Sequence, residues 1–317
     1  MRILFAGTPD IAVPSLNALA FHYDIAGVLT NPDKARGRGK QVQFSPVKKA
    51  ALELGLPVFQ PSKLTADFRE EIQALSADLL VCLAYGKIFS QTFMDLFPKG
   101  GINLHPSGLP DLRGPSPLNS LILRGDRVGA ITIQSLAKEM DSGDILLQVP
   151  LVLEERETTA SLSGRVAHEG ADCLLQVLRD MEAGNLKPVP QDHNKATYCS
   201  LIGKDDGLMD WSQSAEQLDR VVRAYTPWPH GFTFWKNLRL NILEARPYEG
   251  SLFPPGTVKV GEVAGLDKKD GILIQTGEGL LAVTRLQLQS KKALDHKSFI
   301  NGSKDFVGSV LGEEHDL

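Results

Sequence analysis

The chain has 317 residues with an apolar fraction of 42% and a charged fraction of 23%, the balance of a globular protein with room for about two domains. A formal net charge of −4 excludes a protein that is basic overall, so any contact with nucleic acid has to come from a local patch. There is no run of about 18 apolar residues, which predicts no membrane segment. In chain order, the opening Arg2–Ala6 is predicted to be a buried strand, because Thr8-Pro9-Asp10 breaks the apolar run too early for a signal-peptide core. Strands are also predicted at Ile25–Leu29, Leu79–Ala84, Gly101–Leu104, Gly129–Ser135 and Ile145–Val152. Apolar spacing near 3.6 predicts helices between them at Ile11–Ala20, Pro46–Leu54, Asp67–Leu75, Pro117–Arg124 and Thr159–Glu182, the first entered through Pro9 and Asp10.

Short apolar strands alternating with helices predict an α/β fold, a mostly parallel sheet with helices on both faces, with the later strands able to run antiparallel. Near Leu186–Asp206, Pro188, Pro190, Gln191, Asp192, His193 and Asn194 replace the helical pattern, as in a linker. The expected division is a first domain at 1–188, a linker at 189–207 and a second domain at 208–317. After a helix at Ala215–Tyr225, strands are predicted at Gly231–Phe234, Leu238–Glu244, Gly256–Val260, Gly271–Gln275 and Leu280–Leu288, the pattern of a small β-barrel. Cys82, Cys173 and Cys199 lack zinc-ligand spacing and predict neither a disulfide frame nor a metal site, which places the chain in the reducing cytoplasm.

The sharpest motif is Asn103-Leu104-His105-Pro106-Ser107-Gly108-Leu109-Pro110-Asp111-Leu112-Arg113-Gly114, at the end of a predicted strand, where open α/β sheets bind ligands. Two residues apart on an extended segment, Asn103 and His105 point to one face. An amide donor and an imidazole together suit attack on a carbonyl. Farther on, Met140-Asp141-Ser142-Gly143-Asp144 brings two carboxylates in a turn, and a carboxylate beside the imidazole would orient it. An Asn-x-His at a strand end and an aspartate in a turn also occur for structural reasons alone. Residue types and spacing by themselves leave an α/β enzyme of acyl-transfer type.

The run Asn-x-His-x-Ser-x-Leu-Pro-x-x-Arg-Gly, followed by Met-Asp-x-Gly, resembles the signature of the folate-dependent formyltransferases. That resemblance implies a Rossmann-like catalytic half, 10-formyltetrahydrofolate as the formyl-donor co-substrate, no metal, and Asn103, His105 and Asp141 as the catalytic trio. It also implies that Ser107, Gly108, Leu109 and Pro110 contact the folate, with Gly108 where the family often has leucine. Asp144 is then structural.

Phe5-Ala6-Gly7-Thr8-Pro9-Asp10, the insertion from Thr30 to Lys40, and Asp210-Trp211-Ser212 with Pro227-Trp228-Pro229 resemble the branch whose acceptor is initiator methionyl-tRNA. The branch acting on sugar nucleotides shares the last two of these and stays open as an alternative, as does an inactive RNA-binding relative. The insertion carries Lys34, Arg36, Arg38 and Lys40 with no acidic residue after Asp33, so Arg36, Arg38 and Lys40 are the expected tRNA contacts. Such a charge run is also what a solvated surface loop looks like. For the second domain the resemblance implies an OB-like barrel facing RNA, with local support only at Lys268-Lys269 and Lys291-Lys292. A monomer is expected.

Overall fold

Strand β1 (Arg2–Gly7) buries every residue after Arg2, as a central parallel strand covered on both faces must. The chain continues through α1 (Val13–His22), β2 (Asp24–Leu29), β3 (Lys34–Arg36), β4 (Gln41–Gln43), α2 (Pro46–Glu53), β5 (Val58–Phe59), α3 (Ala66–Ala74) and β6 (Leu79–Leu83). Next come α4 (Gln91–Met94), β7 (Gly101–His105), α5 (Pro117–Arg124), β8 (Val128–Ser135), β9 (Ile145–Val152) and α6 (Thr159–Glu182). The structure, a computed structural model, describes residues 1–36, 41–250 and 257–312. Helix starts follow local chemistry: Ser45 accepts from the Lys48 N–H ahead of Pro46 at the first helical position, and Thr65 and Ser90 cap α3 and α4 likewise. The first helix begins at Val13 rather than Ile11, because Pro9 caps a 3-10 turn over Asp10–Ala12 before the α-helix proper.

The described chain divides into two compact units, the first made of Met1–Pro117, Arg127–Leu153 and Ser161–Leu201. Its main sheet has seven strands in the order β5-β2-β1-β6-β7-β8-β9, and β3 pairs with β4 separately. The first five of the seven are mutually parallel, β8 runs antiparallel to β7, and β9 is antiparallel to β8. This is the mostly parallel sheet expected. Strand order reverses between β1 and β6, which places a crevice at their carboxyl ends. There the Asn31 amide donates to Thr8 Oγ1 (3.0 Å) and to the Tyr85 carbonyl (2.7 Å), tying the loops after β1, β2 and β6 together. One face of the sheet is filled by a cluster including Leu4, Leu29, Leu80, Phe89, Phe93 and Phe97. On β7, α6 comes so close at Gly170 that a Cβ there would lie 2.4 Å from Leu104.

The second unit gathers Leu118–Asp126, Glu154–Ala160 and Ile202–Leu317. It holds α7 (Ala215–Ala224), β10 (Gly231–Trp235), β11 (Leu238–Pro247), β12 (Val263–Asp267), β13 (Gly271–Gln275), β14 (Leu280–Leu288), β15 (Leu294–Asp295) and α8 (His296–Gly302). The strands form an antiparallel sheet in the order β10-β11-β14-β13-β12, with β15 on β14. Its edges are bridged by the terminal segment: Gly308 and Leu311 donate N–H groups to Val263 and Gly261, and Gly312 donates to Phe234 of β10. That gives the sheet its barrel-like closure. The interior is lined by Trp211, Leu218, Leu240, Ile242, Val283 and Phe306 among others, and Ser214 with Gln217 forms a capping box at the start of α7. Trp211 and Trp235 are core residues, whereas Trp228 is 55% exposed.

The expected strand Gly256–Val260 is corrected. Its first residue lies outside the described residues, 257–260 are bends and a turn, and the strand follows at Val263–Asp267, after Gly261 with φ +83°. Glycine and proline near 250–256 drew the prediction early. The Ala-Gly-Leu pattern of β12 carries too little β-branched character to mark a strand by itself.

Burial, and then the nearby Arg239 guanidinium, lower the pKa of His230 in this unit, and its Nδ1 is buried without a hydrogen-bond partner among the described residues. The unfolded chain, with histidine at its ordinary pKa near 6.5, therefore takes up this proton first as pH falls. Stability is expected to decline on acidification from about pH 6.5. In His230→Asn, whose side chain tolerates the φ of +69°, thermal melts from pH 7 to pH 5 should show a shallower decline. Parallel curves for variant and parent would refute the assignment.

Candidate active site

Strands β7 and β8 build the site floor. Asn103 pairs with Gln134 and His105 with Thr132 across the antiparallel ladder, so four polar side chains stand on one face at alternate positions. Leu104 points the other way, under α6. Asp141 reaches this face from the turn between β8 and β9, in a left-handed conformation (φ +52°) that aspartate adopts more readily than most residues. The turn is clamped to the end of β8: Ser135 N–H donates to the Asp144 carbonyl, and Asp144 N–H to Ser135 Oγ, each at 2.9 Å. Gly143 is required by space, since a Cβ there would lie 1.8 Å from the Ser135 carbonyl oxygen.

The structure brings Asn103, His105 and Asp141 together. Asp141 Oδ1 accepts from Gln134 Nε2 (3.0 Å) and from Asn103 Nδ2 (3.4 Å), and Oδ2 accepts from the Gly114 N–H (2.8 Å). His105 Nδ1 lies 3.6 Å from Oδ2, an ion-pair separation rather than a hydrogen bond. The other ring nitrogen, Nε2, stands 2.9 Å from the Leu112 carbonyl oxygen, and the residue is 4% exposed. Both ring nitrogens thus face oxygens, Nε2 within hydrogen-bond distance and Nδ1 just beyond it. Asn103 Nδ2 carries two hydrogens, and Asp141 takes only one of them at long range. The second is free for an oxygen on which negative charge develops.

The loop expected to meet folate is partly committed within the fold. Ser107 is buried, its hydroxyl donating to the Asp111 carbonyl (2.6 Å) and its own carbonyl accepting from Thr132 Oγ1 (2.6 Å). Leu109 is buried, its carbonyl accepts from Gln148 Nε2, and the Leu109–Pro110 bond is cis. At Gly108 a Cβ would find only an ordinary contact with Ala130 at 3.7 Å. Of the expected tRNA contacts, Arg36 ends β3, in a hairpin with β4, while Arg38 and Lys40 lie outside the described residues. Lys268, Lys269, Lys291 and Lys292 are exposed.

Several functional-site residues escape sequence reasoning. Gln134, 1% exposed, alternates with Thr132 between Ile131 and Ile133, and two polar residues at alternate positions of a buried strand were the available signal. Residues 197–199 pin the 112–113 loop through Thr197 Oγ1 to the Leu112 N–H (2.9 Å) and the Cys199 N–H to the Arg113 carbonyl (2.8 Å). Nothing local in Thr197-Tyr198-Cys199 announces that contact. Beneath Asn103, its ladder partner Cys82 has its thiol pushed up to about 12 by burial, with the Asp141 charge acting in the same direction. A thiol so raised is neutral near pH 7, which does not favour a nucleophilic role. Among the described residues no group of three or more His, Cys, Asp or Glu is placed to hold a metal, and no helix is long and apolar enough to cross a membrane.

Comparison with known proteins bears on the same residues. The formyl transferase family model matches residues 1–178, and the model of the formyl transferase C-terminal domain matches residues 201–304. The methionyl-tRNA formyltransferase of Treponema denticola is 48% identical over 316 residues, covering 97% of this chain and 98% of that protein. Its namesake in Treponema pallidum (strain Nichols) is 42% identical over 320 residues, covering 98% and 99%. Among solved structures, HypX from Aquifex aeolicus in complex with tetrahydrofolic acid shares the fold with a TM-score of 0.64 at 20% identity, covering 97% of this chain and 48% of that one. Matched family models over both halves and relatives aligned nearly end to end establish that the chain belongs to the formyl transferase family, in the branch formed by the methionyl-tRNA formyltransferases.

Proposed function

We propose that this chain moves the formyl group of 10-formyltetrahydrofolate onto the α-amino group of methionine carried by initiator tRNA. The products are N-formylmethionyl-tRNA, for translation initiation in the cytoplasm, and tetrahydrofolate. The observation that carries the reading is the Asp141 carboxylate, which gathers Asn103, His105, Gln134 and the Gly114 N–H at the carboxyl end of β7. The free amine attacks the formyl carbon. Asn103 donates to the developing oxyanion, the imidazolium of His105 adds positive charge, and Asp141 keeps the ring in place. A proton then passes from the attacking nitrogen to folate N10, the carbon–N10 bond breaks and the carbonyl reforms. No covalent enzyme intermediate is needed.

The first unit carries this chemistry. Ser107, Gly108, Leu109 and Pro110 border the folate, Ser107 and Leu109 by shaping the loop from within. Contacts to tRNA fall to Arg36, Arg38 and Lys40 and to the second unit. Formyl transfer from 10-formyltetrahydrofolate should occur with charged initiator tRNA and be negligible with a sugar-nucleotide amine offered in competition; the reverse preference would overturn the reading. Replacing Arg36, Arg38 and Lys40 together by alanine should raise KM for the tRNA on the order of tenfold or more while leaving KM for the folate unchanged. The dependence of log(kcat/KM) on log[salt] should flatten by about 0.7–0.9 for each phosphate that no longer meets a cationic side chain. An unchanged salt slope would remove these residues from the tRNA interface.

A further inference from the structure

Gln191 belongs to the proline-rich stretch after α6 that the sequence marks as a linker, yet it is 6% exposed and sits inside the first unit. Its Nε2 donates to the Gly143 carbonyl (2.7 Å) and to the Asp141 carbonyl (3.0 Å), with Gln134 Oε1 at 3.3 Å. Its Oε1 accepts from Nη2 (2.7 Å) and Nε (3.1 Å) of Arg113. The partners fix the orientation of the amide, because a guanidinium only donates and carbonyls only accept. Arg113 is 2% exposed, and its remaining partners among the described residues are neutral, His193 Nδ1 (2.9 Å) and Tyr198 OH (3.4 Å). One side chain therefore joins the Arg113–Gly114 loop, whose Gly114 N–H binds the Asp141 carboxylate, to the backbone of the turn that carries Asp141.

We infer that Gln191 is a positioning residue for Asp141, a reading that rests on the proposed formyl transfer. It touches no reacting atom. It holds the turn at the depth where the carboxylate meets Asn103, His105 and Gln134. Misplacement of such a group by about 1 Å is enough to cost on the order of 10²-fold in rate.

Two variants separate positioning from plain support. Gln191→Glu keeps an acceptor for Arg113 but turns the three donor contacts into oxygen facing oxygen, whereas Gln191→Leu removes both sides and leaves the buried guanidinium short of acceptors. Both should lose kcat, by roughly 10²-fold, with KM for either substrate within about twofold, although Tm falls much further for the leucine variant. In an Asp141→Asn background, Gln191→Glu should subtract no more than roughly threefold further, because residues acting as a unit are non-additive. Amide hydrogen exchange across 140–144 should accelerate in Gln191→Glu and remain at the parent rate in a distant stretch such as β1. Parent-like kcat in Gln191→Glu, losses that follow Tm, or a full multiplicative loss in the Asp141→Asn background would overturn the inference. Failure of the formyl-transfer reading would show as an inactive parent chain. Exchange across 140–144 then still decides the tether: parent-like exchange in Gln191→Glu overturns it.

Discussion

Asn103→Ala is expected to lower kcat by about 10²–10³-fold, the usual consequence of deleting one oxyanion donor, with only a small change in Tm. The two parts of this expectation come from the same geometry. Among the described residues the Asn103 side chain makes one weak hydrogen bond, 3.4 Å from Nδ2 to Asp141 Oδ1, while the carboxylate keeps better partners in Gln134 Nε2 at 3.0 Å and the Gly114 N–H at 2.8 Å. Truncation therefore leaves Asp141 held and the fold intact, and the drop in rate reports on the transition state. His105→Ala is less clean, since it empties a site that is 4% exposed and leaves the Leu112 carbonyl with only the weak Cys199 thiol donor at 3.8 Å. Steady-state kinetics with charged initiator tRNA, beside a thermal melt, checks the pair. Should Asn103→Ala turn over within a few-fold of the parent, the oxyanion role belongs to some other group.

Legibility of the site in the sequence followed the range of the interactions. Asn103 and His105 could be paired from spacing alone, because a strand places alternate residues on one face and β7 was visible as a short apolar run. Central strands were legible for the same reason: the unbroken burial of β1 and β6 needs apolar residues on both faces. The link from Asp141 to that pair required the family resemblance, since a two-carboxylate turn after a strand is ordinary chemistry and Asp141 lies 36 positions after His105. The roles of Gln134, Arg113 and Gln191 stayed hidden, although Arg113 stands within the Asn103–Gly114 motif. Each is a buried polar residue satisfied by partners on other segments, 78 positions apart for Arg113 and Gln191, while Gln134 also meets Asp141 seven positions on. Prolines around Gln191 look like a linker because backbone that folds back over a loop uses the same turn chemistry as backbone that leaves a domain. The short strands β3, β4 and β5 carry too few residues for any periodicity to show.

Gly143→Ala is expected to cost both stability and rate, and the comparison of the two tests how tightly the Asp141 turn is built. A methyl group at this position would start 1.8 Å from the Ser135 carbonyl oxygen and 2.7 Å from its carbon, both backbone atoms of the sheet, so no rotamer change relieves it. The 141–144 turn must then lift away from β8. Lifting it strains the reciprocal contacts between Ser135 and Asp144 and the 2.7 Å bond from Gln191 to the Gly143 carbonyl. Overpacking of this kind destabilises by about 1–3 kcal/mol. The same displacement draws the Asp141 carboxylate from the Gly114 N–H and from His105, for which a loss of kcat on the order of 10²-fold is expected. Denaturant unfolding gives the first quantity, and single-turnover formyl transfer, at a temperature where circular dichroism reports the native fold, gives the second. A variant with the expected instability but parent-like single-turnover rates would mean that Asp141 tolerates movement, and its place in the chemistry would have to be given up. Normal values of both would mean that the turn does not sit against Ser135 in solution.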